Sequence, residues 1–139
     1  MNISKFTQKS IEAINGCEKL AYEYGNQEIE QEHLLVSLLS IEDSLILKLV
    51  EKMEINTGHF VSYAKELLQK RVKVQGGQVY MGQALNKALL SAEDEAKAMG
   101  DEYVSVEHLF LSMLKNPNAA IKDMMKRMKQ MRNRLQDIL

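Results

Sequence analysis

The chain has 139 residues, of which 45% are hydrophobic, 27% are charged and only 1 is a proline. This composition excludes a disordered chain and is typical of one soluble helical domain that buries a core without disulfides or metals. The net charge of −1 provides no overall basic field that would attract nucleic acid or an acidic membrane surface.

A first helix is predicted over residues 7–24, because small and apolar residues recur there at the spacing of one helix face. Gly25 is expected to end this helix in the left-handed conformation. The same pattern returns 75 positions later, where a second helix face precedes Gly100. Alanines on both predicted faces indicate that neighbouring helices pack closely.

Each of these glycines opens a block that occurs twice in the chain. The copies read GNQEIEQEHLLVSLL at residues 25–39 and GDEYVSVEHLFLSML at residues 100–114. Each copy predicts a short loop with one apolar anchor, Ile29 or Val104, followed by a helix. The two helices are predicted over residues 31–40 and 106–115. The chain is therefore a duplication, and the duplication determines the architecture.

The segments after these blocks differ between the halves. In the first half, helices are predicted over residues 44–53 and 57–71, and two adjacent glycines mark residues 72–80 as a linker. In the second half, Asn116 is predicted to cap a helix that begins at Pro117. The segment from residue 122 onward contains no turn residues, so its apolar spacing favours one continuous or bent helix.

Together the elements predict an all-α fold, a duplicated four-helix unit with about eight helices and pseudo-twofold symmetry, in which the last two helices can merge. A single domain is expected over residues 1–139. Repeat 1 is placed at about 1–71, the linker at 72–80 and repeat 2 at about 81–139.

The opening residues and the single cysteine indicate a cytoplasmic protein. The start, MNISKFTQKS, lacks the apolar core of a signal peptide, and the longest apolar run is interrupted by serines and too short to span a membrane. Cys17 has no partner for an internal disulfide, which suits a reducing compartment.

No motif predicts an enzyme, a cofactor or a metal site. Gly77 and Gly82 imitate the glycine spacing of a phosphate loop, but Gln83 and Ala84 occupy the positions where lysine and serine or threonine must hold phosphate and magnesium. Three histidines lack a second ligand at helical spacing and are interpreted as structural or surface residues, namely His33, His59 and His108.

Glu32 and Glu107 are equivalent acids, each just inside the N-terminus of a predicted helix. One interpretation is structural, because a carboxylate in the first turn interacts favourably with the helix dipole. The other is functional, since a carboxylate at the surface, with Glu32 beside Thr7, would hold a cationic or polar group of a partner. The sequence pattern leaves both interpretations open.

The two blocks, together with FTQKSIEAI at residues 6–14, resemble the amino-terminal domain of the Clp family of AAA+ unfoldases over residues 1–128. The likeness is greatest to the ClpB disaggregase branch. It implies a mobile domain, tethered to a hexameric ATPase ring, that captures unfolded or aggregated polypeptides. ATP and magnesium would belong to ATPase modules outside this chain, so the domain is expected to bind polypeptide without catalysing a reaction.

The resemblance also implies which residues handle the substrate. Polar positions of the ClpB domain match Thr7, Asp101 and Glu107, and an apolar patch matches Leu89, Ser91 and His108. Two of the residues in the patch are not apolar here. The implied site is a shallow apolar groove between the halves, with the three polar residues on its rim.

The related ClpC domain implies a different ligand. Its paired Thr and Glu pockets recognise phosphorylated arginine, and such domains also bind adaptor proteins. In this chain Thr7 with Glu32 would preserve the first pocket, whereas Gly82 replaces the threonine expected with Glu107. Adaptor or phosphoarginine binding is therefore the alternative function.

The C-terminal tail is basic and is interpreted as a solvated helix face, a docking surface or a lead into another domain. A further alternative function is nucleic-acid binding by this tail, and its affinity would fall steeply with salt. The basic residues are Lys122, Lys126, Arg127, Lys129, Arg132 and Arg134.

Overall fold

Eight α-helices form the part of the chain that the computed structural model describes, residues 2–128 and 130–139. Their bounds are α1 Gln8–Tyr24, α2 Gln31–Ser40, α3 Leu45–Lys52, α4 Thr57–Gln69, α5 Gln83–Ala98, α6 Val106–Lys115, α7 Ala119–Arg127 and α8 Met131–Ile138. The helices α1–α4 and α5–α8 follow one another in the same order, which confirms the all-α duplicated fold. Within the described residues, no helix has the length and apolar composition needed to cross a bilayer.

Two helices, α2 and α6, form the centre of the core. Nearly every residue of both is buried, although each helix has only 10 residues. Equivalent serines join them to the preceding long helices, since Ser37 Oγ donates to the Ala13 carbonyl oxygen at 2.6 Å and Ser112 Oγ donates to that of Ala88 at 2.6 Å. Each repeat thus builds the same helix pair around the same buried polar contact.

The start of each repeat is bound to the other repeat. Strand β1, Glu28–Ile29, pairs in parallel with strand β2, Tyr80–Met81, and the bridge between Phe6 and Val104 is the equivalent pairing. The backbone N–H of Thr7 consequently donates to the Val104 carbonyl oxygen at 3.0 Å. This exchange brings the N-terminus of α1 to α6 rather than to α2.

The prediction that the last two helices merge is wrong. Helix α7 ends at Arg127, and Gln130 precedes α8 with a φ of 59°, in the left-handed region. The break returns α8 to the core, where Met131 and Leu135 are fully buried. The predicted start of α7 is also displaced, because Asn118, not Asn116, caps this helix.

Gln130→Gly is expected to stabilise the domain by about 1 kcal/mol, because glycine adopts the left-handed conformation without the steric cost that a side chain incurs. Urea unfolding measures the change. Asn133→Gly, inside α8, is the matched control and should lower the free energy of unfolding by about 1 kcal/mol. A loss of stability at both positions would indicate one continuous helix.

Candidate functional site

A cleft of about 270 Å³ opens where the C-terminus of α2 and the start of α3 face the N-termini of α1 and α6. We call it the Thr7–Glu107 cleft. Its walls are apolar and come from Leu38, Ile41, Leu45, Ile46 and Val106. Its polar lining residues are Thr7, Lys9, Asp43, Ser44, Ser105 and Glu107. Both repeats contribute, so the cleft exists only in the assembled domain.

Thr7 is held in place as the N-cap of α1. Its Oγ1 accepts a hydrogen bond from the Ser10 backbone N–H at 3.2 Å and lies 3.1 Å from Ser10 Oγ. Ser10 Oγ in turn donates to the Val104 carbonyl oxygen at 2.9 Å. The cap that begins α1 therefore also attaches this helix to Val104, in the segment that leads into α6.

Glu107 lies in the first turn of α6, where the positive end of the helix dipole favours a carboxylate. The side chain is partly buried, and Oε1 has no hydrogen-bond donor among the described residues. A buried acceptor without a donor costs free energy. Glu107 is thus an unsatisfied acceptor on the lining of an apolar cleft.

The equivalent acid of repeat 1, Glu32, has its partners within the chain. Arg71 Nη1 donates to Glu32 Oε2 at 2.6 Å, and Asn118 Nδ2 donates to Glu32 Oε1 at 2.6 Å. At the position equivalent to Thr7, a side chain on Gly82 would overlap the Glu30 carboxylate. The repeat-1 counterpart of the cleft is therefore filled by side chains of the domain itself.

The expectation that Glu32 lies beside Thr7 is not met. Thr7 lines the same cleft as Glu107, while Glu32 shares Asn118 with Glu30, next to Gly82. The cause is the exchange of strands, which places the start of each repeat against the second helix of the other. Sequence repeats alone do not reveal this exchange, because they show equivalence but not pairing.

The other expected site residues lie outside the cleft. Of the patch implied by the resemblance, Leu89 and His108 are each 1% exposed and Ser91 is half-buried. Leu89 lines a separate cavity of about 150 Å³ together with Ile14 and Met81. Asp101 is half exposed and accepts a hydrogen bond from His108 Nε2 at 2.8 Å.

Histidine and cysteine side chains serve the core. His33 is fully buried in repeat 1, and burial together with the nearby Arg71 guanidinium lowers its pKa to about 4. Burial raises the pKa of the Cys17 thiol to about 12, which makes it a poor nucleophile. Among residues 2–128 and 130–139, no group of three or more His, Cys, Asp or Glu could hold a metal ion.

Part of the basic tail is used in packing. Arg134 Nη1 donates to the Met53 carbonyl oxygen at 2.9 Å, and the Arg127 guanidinium lies 5.3 Å from the centre of the Tyr63 ring. Lys122, Lys126 and Arg132 are exposed. Lys129 lies outside the described residues.

Comparison with known proteins gives consistent matches. The model of the Clp repeat (R) N-terminal domain family matches residues 5–128. Chaperone protein ClpB of Nitratidesulfovibrio vulgaris is 36% identical over 126 residues, which cover 87% of this chain and 15% of that protein. The chain thus spans about 15% of the length of this curated relative.

Two solved structures share the fold. The N-terminal domain of Hsp104 from Candida albicans has a TM-score of 0.82 and 21% identity, covering 96% of this chain and 91% of that one. The ClpV N-domain, in complex with a VipB peptide, has a TM-score of 0.76 and 15% identity, covering 99% and 87%.

Proposed function

The chain belongs to the Clp repeat N-terminal domain family, and from this premise we propose that it captures unfolded or aggregated polypeptides for a ClpB-type disaggregase. This domain is the non-catalytic part of an AAA+ chaperone. The curated relative is several times longer than this chain. We propose that the ATPase ring, which binds ATP and magnesium, lies outside this chain.

The observation that carries the proposal is the Thr7–Glu107 cleft. Its walls suit an apolar side chain of an unfolded segment, and the Glu107 carboxylate on its lining offers an acceptor to a backbone or side-chain N–H beside it. A folded protein buries most such segments, whereas an unfolded one exposes them. The cleft therefore selects for exposed apolar chain rather than for one sequence. A fold of this kind holds a peptide in the ClpV complex, which agrees with the proposal.

The dimensions of the cleft support weak binding. A volume of about 270 Å³ is at the lower limit of pockets that bind small molecules, so the cleft takes one or two side chains. Weak binding suits a receiving domain, because a client must be released to the ring. Several domains tethered to one ring would compensate by raising the effective concentration of binding sites.

Glu107→Lys is expected to weaken the binding of a fluorescein-labelled unfolded polypeptide, such as reduced α-lactalbumin, by about tenfold, because an acceptor becomes a cation in the apolar cleft. Fluorescence anisotropy measures the affinity, and circular dichroism verifies the helix content. Glu102→Lys is the matched control, since Glu102 is an exposed acid that does not line the cleft. Equal affinities of both variants and the parent would contradict the assignment of the cleft.

The ClpC-type function receives less support. Duplicate recognition requires two open sites, but Arg71 and Asn118 already satisfy Glu32 in repeat 1. Free phosphoarginine is therefore the second ligand in the anisotropy experiment, as a competitor. Displacement of the unfolded polypeptide by phosphoarginine would favour the ClpC-type function.

A further inference from the structure

Three residues connect the loop before α6 to the lining of the Thr7–Glu107 cleft. Asp101 Oδ2 lies 2.8 Å from His108 Nε2, and His108 Nδ1 lies 2.9 Å from the backbone nitrogen of Ser105. Ser105 is the N-cap of α6 and lines the cleft together with Glu107. Asp101 does not line the cleft and borders a separate surface hollow with Lys5 and Glu102.

The two contacts of His108 determine its tautomer. A backbone N–H can only donate, so His108 Nδ1 must be the acceptor and carry no proton. A neutral imidazole then carries its proton on Nε2 and requires an acceptor there. The Asp101 carboxylate is that acceptor. Without this acceptor the Nε2–H is left unpaired, which favours the other tautomer. That tautomer would direct its Nδ1–H at the Ser105 N–H, and the hydrogen bond at the start of α6 would be lost.

Repeat 1 contains the same arrangement with a neutral acceptor. His33 Nδ1 accepts the Glu30 backbone N–H at 2.9 Å, and His33 Nε2 lies 3.0 Å from Asn26 Oδ1. Asn26 is equivalent to Asp101 in the duplication. The fold therefore needs an oxygen acceptor at this position and does not need its charge.

We infer that Asp101 is a positioning residue that orients Ser105 and Glu107 in the cleft by fixing the tautomer of His108, and that it does not contact the client. This inference rests on the proposed function, because it concerns the same cleft. It separates Asp101 from Thr7 and Glu107, with which the family resemblance groups it. Asp101 performs this role through its carboxylate oxygen, which accepts a hydrogen bond, and not through its charge.

Two substitutions at Asp101 separate positioning from contact. Asp101→Ala removes the acceptor and should weaken binding of the labelled unfolded polypeptide by about tenfold. Asp101→Asn reproduces the repeat-1 arrangement and should keep the affinity within about twofold. Glu102→Gln, which removes one charge from the neighbouring residue, is the control for a general electrostatic effect and should leave the affinity unchanged.

NMR spectra without ligand test the relay, by which we mean the hydrogen bonds that join Asp101, His108 and Ser105, independently of client binding. Nitrogen shifts of the His108 ring, measured by NMR with ¹⁵N labelling, should show a protonated Nε2 in the parent and in Asp101→Asn. In Asp101→Ala, the ring should lose this single tautomer, and the amide signals of Ser105 and Glu107 should shift. If Asp101→Ala does not fold, the comparison of the parent with Asp101→Asn still decides.

The outcomes are distinct. Retained affinity and retained Nε2 protonation in Asp101→Asn support positioning. A tenfold loss of affinity in Asp101→Asn, with the tautomer intact, would show that the Asp101 charge contacts the client and would overturn the inference. A parent with Nδ1 protonated would also overturn it. A parent that binds no unfolded polypeptide refutes the proposed function, while the ligand-free spectra continue to test the relay.

Discussion

Arg71→Met is expected to lower the free energy of unfolding by about 3 kcal/mol, because it leaves a buried carboxylate without its cationic partner. The Glu32 side chain is only 4% exposed and lies 2.6 Å from the Arg71 guanidinium. Glu28 contacts the same guanidinium at 3.4 Å, and burial raises the pKa of nearby Glu30. Removal of Arg71 therefore leaves acidic groups close together with one fewer counter-charge.

Urea unfolding at neutral pH measures this effect. Lys70→Met is the matched control, because Lys70 is the exposed neighbour of Arg71 and should change the stability by less than about 0.5 kcal/mol. Arg71→Met combined with Glu32→Gln should be more stable than Arg71→Met alone, since no unpaired charge then remains buried. Equal losses for Arg71→Met and Lys70→Met would mean that the ion pair does not stabilise the fold.

Acidification is expected to remove about 3 kcal/mol of stability between pH 7 and pH 4 through His33 alone. The pKa of His33 is lowered to about 4 in the folded domain, chiefly by burial and also by Arg71. The unfolded chain binds the proton near the ordinary value of about 6.5. Between these two values the unfolded state holds more protons, so the free energy of unfolding falls as the pH falls.

Unfolding measurements at several pH values isolate this contribution when variants are compared. His33→Gln removes the titrating group, so the difference in stability between parent and variant should shrink as the pH drops from 7 to 4. His59→Gln is the control, because His59 is exposed and its variant should follow the parent at every pH. A constant difference between the parent and His33→Gln would contradict the burial of a neutral imidazole.

The regular helices could be predicted from sequence because their signals are local. The bounds of α2 and α6 are those given by the apolar pattern, and Gly25 ends α1 with a φ of 71° in the expected left-handed conformation. The break before α8 was missed since Gln130 carries no turn signal. Only tertiary packing of Met131 and Leu135 explains why the chain bends there.

The candidate site was predictable only in part. Thr7 and Glu107 were identified through the resemblance, and the structure places them in one cleft. Their pairing across repeats depends on the isolated bridge between Phe6 and Val104, which is too short to show periodicity. The closure of the repeat-1 counterpart depends on Arg71 and Asn118, which are distant from Glu32 in the chain. No local pattern connects such residues.

The exchange of strands between the repeats has a consequence for synthesis. Ser10 bonds to Val104, which follows it by 94 positions, so the start of α1 remains unattached until most of the chain has left the ribosome. Contacts this distant in sequence form late and slow folding. A nascent chain that stops before Val104 contains every helix of repeat 1 but lacks the Thr7–Glu107 cleft. The proposed capture of unfolded protein would thus begin only when this domain has itself finished folding.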